Sequence, residues 1–275
     1  MIGSLAPTPP ADQFLDELFG HPRTLAGFDF PIGLPQAYLQ NTKLDFLQLL
    51  SSPSSAEAQR FFTPAETLFD VSPTQPFYKT HPPGGQHRDL YQRLGCASFD
   101  ELLRECDKAT ENRLRAESIF WTIGAKQVGK AARCGWQEIL IPAHRRGARL
   151  WPFDGTLASL DRNAPIIAET YPAEAYRHVG IQGRVGKRSQ SGRTAAGRIL
   201  REWASRHCVR FDTHIAQRVR DGFGPGGDGE DAFDALVGLC GMIEVVGGRR
   251  AEMPANRMVL RKREGWILGQ TDLPP

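Results

Sequence analysis

The sequence lacks the features that mark membrane, disulfide-linked and zinc-containing proteins. No stretch of its 275 residues approaches 18 consecutive apolar residues, and its start has no basic flank followed by an apolar signal segment. The five cysteines are an odd number, widely spaced and without a CxxC pair, which argues against a disulfide framework or a structural zinc site. We therefore expect a protein of the reducing cytoplasm that makes no membrane contact.

An overall excess of one charge is also missing. Lys and Arg total 34 against 31 Asp and Glu, so the net charge is +3, too small to indicate a nucleic-acid partner by itself. The distribution is uneven, however, because residues 184–220, here called the basic segment, hold ten Lys or Arg and two acids. This local charge of +8 is compatible with binding to a nucleic-acid backbone.

The apolar pattern predicts an α/β fold in a single domain over residues 1–275, without internal repeats. The proline-rich stretch 43–118 is predicted to be an irregular, partly helical insertion, and 249–275 a C-terminal extension that forms a short hairpin or strand. The remaining predictions are helices at 11–20, 99–112 and 230–246, strands at 24–30 and 148–155, and a strand that passes through Pro172 into a helix over 164–176.

Four carboxylates stand where such a fold could bring them together. Asp29 and Glu169 each end a predicted strand, and Asp231 and Asp234 share a face of a predicted helix. If the strands are parallel neighbours and the helix crosses their carboxyl ends, the four converge, and clustered carboxylates require raised pKa values or bound cations. Oxygen ligands favour Mg²⁺ or Mn²⁺, and two such ions side by side can activate a water molecule for hydrolysis of a phosphodiester. The alternative is that they are turn, solvent-facing and helix-start residues.

Five segments, taken in order, add a family resemblance. They are GFDFPIGLP (27–35), GAKQVGKAARCGW (124–136), RLWPFDG (149–155), AETYPAEAY (168–176) and EDAFDALVGL (230–239). With these segments the chain resembles the prokaryotic family called domain of unknown function 429, expected to contain ribonuclease H-like nucleases. The resemblance implies a ribonuclease H-like mixed sheet flanked by helices, with Asp29, Glu169 and Asp231 or Asp234 as catalytic metal ligands for cleavage of DNA or RNA.

One departure from the family pattern concerns the start of the chain. In that superfamily the first strand supplies an essential metal-binding aspartate, yet only 23 residues precede the strand that corresponds to the fourth. We therefore expect a ribonuclease H-like domain that lacks its N-terminal strands. The resulting function is a Mg²⁺- or Mn²⁺-dependent nuclease or, alternatively, a non-catalytic nucleic-acid- or protein-binding member of the same fold.

Several cations are candidate contacts to nucleic-acid phosphates. The segment GAKQVGK (124–130) matches the GxxxxGK half of a P-loop, but Ala131 follows where a Ser or Thr would bind Mg²⁺. We expect a helix there, whose lysines either contact phosphate or form a solvated face. The candidate phosphate contacts are Lys126 and Lys130 on that helix and Arg184, Lys187, Arg188 and Arg193 in the basic segment.

Overall fold

The chain divides into two compact units, whereas the sequence predicted a single domain. The computed structural model describes residues 5–21, 23–123, 127–160, 163–183, 186–226, 228–255 and 263–274. Pro10–Glu169 and Met253–Pro275 form one unit, here called the sheet unit. Met1–Pro9 and Thr170–Glu252 form the other, called the helical unit.

The sheet unit is built around a three-stranded parallel sheet in the order β1-β5-β4, with a second parallel pair, β2-β3. In the central pairing Leu25 lies opposite Ile166 and Phe28 opposite Glu169. The elements in chain order are α1 (Ala11–Gly20), β1 (Leu25–Phe28), α2 (Gln36–Thr42), α3 (Phe46–Ser51), α4 (Ala56–Phe62), β2 (Ala65–Thr67), β3 (Tyr78–Thr80), α5 (His87–Arg93), α6 (Val128–Gly135), α7 (Ile141–Arg145), β4 (Arg149–Leu150) and β5 (Ile166–Glu169).

The stretch 43–118, predicted as an insertion, supplies much of the core of this unit. Trp136 is fully buried, and its ring stacks on Phe61 at 6.3 Å and meets Phe46 edge-on at 4.9 Å. Local signals position these side chains, because Asp45 and Ser55 cap the starts of α3 and α4 by accepting hydrogen bonds from Gln48 and Ala58. The stretch is therefore part of the packed core, not an appended excursion.

One predicted element of the sheet unit is wrong, and the hairpin or strand predicted at 249–275 is only partly within the described residues. The helix predicted at 99–112 is replaced by two short 3₁₀ turns, Phe99–Leu102 and Glu105–Asp107. A C-terminal hairpin is not formed by the described residues after 248, where Ile267 makes a single parallel bridge to Glu169. The helix predicted at 11–20 is confirmed with the same bounds. The strands predicted at 24–30, 148–155 and in the first part of 164–176 are confirmed in shorter form, and the chain enters a helix at Pro172, as predicted.

The described residues of the helical unit form four helices around a core of their own. The long apolar helix predicted at 230–246 is confirmed as α11, and Gly241 lets it approach α8 so closely that a Cβ there would lie 2.9 Å from the Cβ of Ala175. Buried side chains include Leu200, Trp203 and Phe233. The helices are α8 (Pro172–His178), α9 (Gln190–Arg206), α10 (Thr213–Arg220) and α11 (Asp228–Val246).

Capping residues fix the start of the two helices that carry most of the basic segment. The Ser189 hydroxyl accepts a hydrogen bond from the backbone N–H of Gly192 at the start of α9, and an Asp212 carboxylate oxygen accepts one from Ile215 at the start of α10. Among the residues that the structure describes, no helix combines the length and the apolar character needed to span a bilayer.

Candidate functional site

Asp29 and Glu169 lie at the same edge of the sheet, as expected. Strands β1 and β5 are parallel neighbours, so the residue that follows β1 and the last residue of β5 are close in register. Their environments differ, however. Asp29 is exposed, whereas Glu169 is only 4% exposed.

The carboxylate of Glu169 accepts hydrogen bonds from a buried arginine at both of its oxygens. Arg104 is fully buried and donates from Nη1 to Oε2 of Glu169 at 2.6 Å and from Nη2 to Oε1 at 2.7 Å. Oε2 also accepts the backbone N–H of Ile32 at 2.7 Å. Burial raises the pKa of the Glu169 carboxyl, although Arg104 beside it favours the ionised form. Both oxygens of Glu169 are therefore engaged within the protein.

The remaining donors of Arg104 are satisfied as well. Its Nε donates to Asp107 Oδ2 at 2.8 Å, its Nη2 to Asp107 Oδ1 at 2.9 Å and its Nη1 to the carbonyl of Ile32 at 3.2 Å. A guanidinium has five N–H donors, and each here has an acceptor. Arg104 therefore links the 3₁₀ turn at Glu105–Asp107, the end of β5 and the segment that follows β1.

A third buried carboxylate, Glu264, completes this cluster. Its oxygens accept the backbone N–H groups of Gln36 at 2.5 Å and Glu105 at 2.9 Å. Burial raises its pKa. The backbones at Gly33 and Glu264 cross in direct contact, since a Cβ on Gly33 would lie 2.0 Å from the carbonyl oxygen of Glu264. The cluster is thus a structural crossing of three chain segments.

The other two predicted ligands lie in the helical unit, on the first turns of α11. Asp231 is exposed. Asp234 accepts the hydroxyl of Tyr176 at one oxygen and the ammonium of Lys187 at the other, the latter at 2.6 Å. The Lys187 ammonium also lies 3.1 Å from Glu230. Burial opposes its charge, but Asp234 and Glu230 outweigh burial and raise its pKa.

These residues do not fit the Mg²⁺ or Mn²⁺ site that the sequence predicted. The four carboxylates divide between the two units, and in the described part of the chain no group of three or more His, Cys, Asp or Glu is arranged to hold a metal. A cation at Glu169 would take from buried Arg104 one of its two carboxylate partners, and breaking a buried ion pair costs several kcal/mol. We therefore derive no catalytic step through a metal.

No family model, curated protein or solved structure matches this chain. The resemblance to domain of unknown function 429 therefore stays a prediction. The fold is mixed α/β, as expected, with a small parallel sheet in place of the larger mixed sheet of that prediction.

Within the basic segment, two of the candidate phosphate contacts have internal roles. Lys187 is paired with Asp234 and Glu230. Arg193 is fully buried and donates to the backbone carbonyls of Lys187 at 2.5 Å, Gly222 at 2.8 Å and Gly224 at 2.6 Å. The glycine-rich segment after α10 thus folds around Arg193, and neither cation is available to a ligand.

The basic segment nevertheless presents a free cationic surface. Six of its arginines are exposed, and none has a carboxylate within ion-pairing distance among the residues that the structure describes. Arg218 is half-buried, and its guanidinium lies over the ring of Phe223, 5.4 Å from the ring centroid. We call the six the arginine surface: Arg188, Arg198, Arg201, Arg206, Arg210 and Arg220.

The P-loop hypothesis is not supported. The described residues 117–123 form no strand, and Gly129 lies inside α6, where a Cβ would lie 2.5 Å from the carbonyl oxygen of Ile119. Lys130 is exposed on α6. The predicted contacts Lys126 and Arg184 lie outside the described residues.

Sequence reasoning missed Arg104 and Glu264, the residues that organise the sheet unit. Arg104 lies within the helix predicted at 99–112, where most of the residues around it are also charged. Composition therefore gave no signal that this arginine is buried, because a charged residue is almost never fully buried unless it is paired and its partner Glu169 is distant in sequence.

Proposed function

We propose that this chain binds nucleic acid through the phosphate backbone, as a non-catalytic binding protein, and that the arginine surface makes the contacts. The observation that carries the proposal is the set of exposed arginines that have no carboxylate partner in the described chain. A protein that neutralises phosphates with arginine releases counterions, and this release supplies most of sequence-independent affinity.

The spacing of the arginines on α9 supports contact with successive phosphates. Arg198 and Arg201 are three residues apart and share one face of a 17-residue helix, which is about 25 Å long. The guanidinium donates in a fork that matches a phosphate, so an arginine holds it by two hydrogen bonds. This face is therefore suited to follow a backbone.

We expect the arginine surface to contact phosphates and not to recognise bases. In the basic segment Trp203 is buried and Phe211 is half-buried, so neither presents an open ring face on which bases would stack. We therefore expect binding to duplex DNA or RNA with weak sequence preference and strong salt dependence.

We propose a non-catalytic protein because two of the predicted metal ligands, Glu169 and Asp234, are bound by other side chains. Glu169 is held by Arg104 and Asp234 by Lys187 and Tyr176, so two of the four predicted ligands already have protein partners at both oxygens. A nuclease that needs these oxygens for metal would first have to break two ion pairs, of which the Arg104–Glu169 pair is buried.

The test is fluorescence anisotropy with labelled 20-base-pair DNA and RNA duplexes over a series of salt concentrations. The double variant R198A/R201A removes two phosphate contacts, so the slope of log K against log salt should fall by about 1.8 on DNA. The matched control is R60A/R145A, which removes two exposed arginines of the sheet unit and the same net charge. It should leave the slope nearly unchanged.

The same samples distinguish binding from cleavage. We expect intact duplex after incubation with Mg²⁺ or Mn²⁺ and the same affinity with a chelator. Metal-dependent cleavage that is lost in Asp29→Asn would contradict the non-catalytic proposal and favour the nuclease. Equal slopes for the two double variants would remove the arginine surface from the proposal.

A further inference from the structure

The sheet unit contains a cationic cavity between β3 and α6 that the proposed function does not use. Its volume is about 370 Å³, at the small end of the range for small-molecule sites. Three cationic side chains line it together with apolar and uncharged polar ones, and no Asp or Glu is among the described residues that line it. The cations are Lys79, Lys130 and Arg133, and the partly exposed apolar residues are Pro64 and Ile123.

Two of the three cations are free to bind an anion. Lys130 has no carboxylate partner among the described residues, and Nη1 of Arg133 donates to the neutral side chain of Gln137 at 2.8 Å. Lys79 is 2.5 Å from Glu66, but both side chains are more than half exposed, so water screens this pair. The cavity therefore carries an excess of positive charge.

The backbone around the cavity holds the cations in place. The hydroxyl of Thr122 donates to the carbonyl of Tyr78 in β3, and the backbone N–H of Gly129 in α6 donates to the carbonyl of Trp121, both at 2.8 Å. Close contact at Gly129 leaves no room for a side chain. The strand that carries Lys79 and the helix that carries Lys130 are thus tied to one segment, 121–122.

A second cavity of the same unit provides a comparison. It has a volume of about 330 Å³ and is lined by one acid and one cation, Asp45 and Arg263. The two cavities are similar in size, so size does not distinguish them. The difference is charge: only the cavity between β3 and α6 has several cations and no acid in its lining.

We propose that this cavity binds a nucleoside monophosphate. The phosphate monoester, with nearly two negative charges at neutral pH, meets Lys130 and Arg133. The planar base lies against the partly exposed apolar side chains of Pro64 and Ile123, behind which Phe77 is fully buried. A volume of about 370 Å³ accommodates one nucleotide and not an oligonucleotide.

Isothermal titration calorimetry of the full chain tests the proposal, with the four ribonucleoside monophosphates, adenosine and inorganic phosphate as probes. We expect at least one nucleotide to bind more tightly than both adenosine and phosphate. Lys130→Ala and Arg133→Ala should each weaken that nucleotide about tenfold. The control Arg145→Ala removes an exposed arginine from α7 of the same unit and should change the affinity less than twofold.

Three results would overturn the proposal: no nucleotide bound at millimolar concentration, phosphate bound as tightly as the nucleotides, or equal affinities in the Lys130, Arg133 and Arg145 variants. All three positions are at least partly exposed, and circular dichroism verifies that each variant folds. R198A/R201A should not change nucleotide affinity, so failure of this proposal is separable from failure of nucleic-acid binding at the arginine surface.

Discussion

In the described chain each unit buries one arginine completely, and the two arginines have different hydrogen-bond partners. Arg104 in the sheet unit is held by the carboxylates of Asp107 and Glu169. Arg193 in the helical unit is held by backbone carbonyls, those of Lys187 and of the glycine-rich segment 222–226. A carboxylate partner cancels the charge, whereas a carbonyl only solvates it.

This difference determines what each arginine organises. Arg104 connects side chains from distant parts of the chain, so its removal leaves charges behind in the interior. Arg193 gathers a short segment whose carbonyls would otherwise face water, so its removal releases a loop. We therefore expect the larger effect on stability at Arg104.

The strongest test of the comparison is Arg104→Met. The substitution keeps much of the side-chain volume but leaves Asp107 and Glu169 buried without their cation, which should lower the free energy of unfolding by about 4 kcal/mol. Urea unfolding followed by pulsed hydrogen exchange measures this for each unit separately. A loss below about 1 kcal/mol would show that the pair is not a main support of the sheet unit.

A second test concerns the crossing next to Arg104. Gly33 has a φ of +123°, and a Cβ there would lie 2.0 Å from the carbonyl oxygen of Glu264, so Gly33→Ala requires the backbone to move. We expect a loss of about 3 kcal/mol. The control is Gly224→Ala, whose φ is +85° with nothing near the new Cβ, and about 1 kcal/mol is expected there. Equal losses at the two positions would contradict a tight crossing.

The third test is Arg193→Met. It removes the donor to four carbonyls, but Gly224 is half-buried and Gly226 exposed, so water can replace part of what is lost. We expect about 2 kcal/mol and faster cleavage of the chain at 222–226 by a nonspecific protease. A loss as large as that of Arg104→Met would erase the distinction between carboxylate and carbonyl partners.

Local patterns explain which parts of the fold were predictable. The strands that end at Phe28 and Glu169 and the long helix α11 have continuous apolar runs, and the structure confirms them. The segment 99–112 also has helical periodicity, yet it forms 3₁₀ turns in which buried Arg104 pairs with Glu169, 65 residues away, and with Asp107. A single sequence carries no record of such a distant pairing.

The candidate site shows the same limit. The adjacency of Asp29 and Glu169 followed from strand order, but the partner that occupies Glu169 did not. In the basic segment, composition identified the positive charge but not which cations are internal, because Arg193 and Arg198 differ in burial and not in chemistry. Only the packing of α9 separates the buried arginine from the exposed ones.

The smallest expected effect is a difference in pH response between the units. In the helical unit, the His178 side chain is 2% exposed, and burial lowers its pKa below 6.5 even though Glu174 lies 3.5 Å away. Its contribution to stability is therefore complete above pH 6.5 and is lost as the pH falls below it. In the sheet unit, burial raises the pKa of Glu264 above 4.5, so its contribution is complete below pH 4.5 and is lost as the pH rises through the raised value.

Acidification from pH 7.5 towards 5 should thus weaken the helical unit around α8 while the Glu264 contribution to the sheet unit increases. Hydrogen exchange with mass spectrometry, corrected for intrinsic exchange rates, gives the opening free energy of peptides from each unit. His178→Gln should flatten the response of α8, whereas the control His214→Gln, at an exposed position of α10, should not. The His178 and Glu264 contributions to stability change in opposite directions with pH. If acidification changed the stability of both units in the same direction, these two buried groups would not determine the acid response of their units.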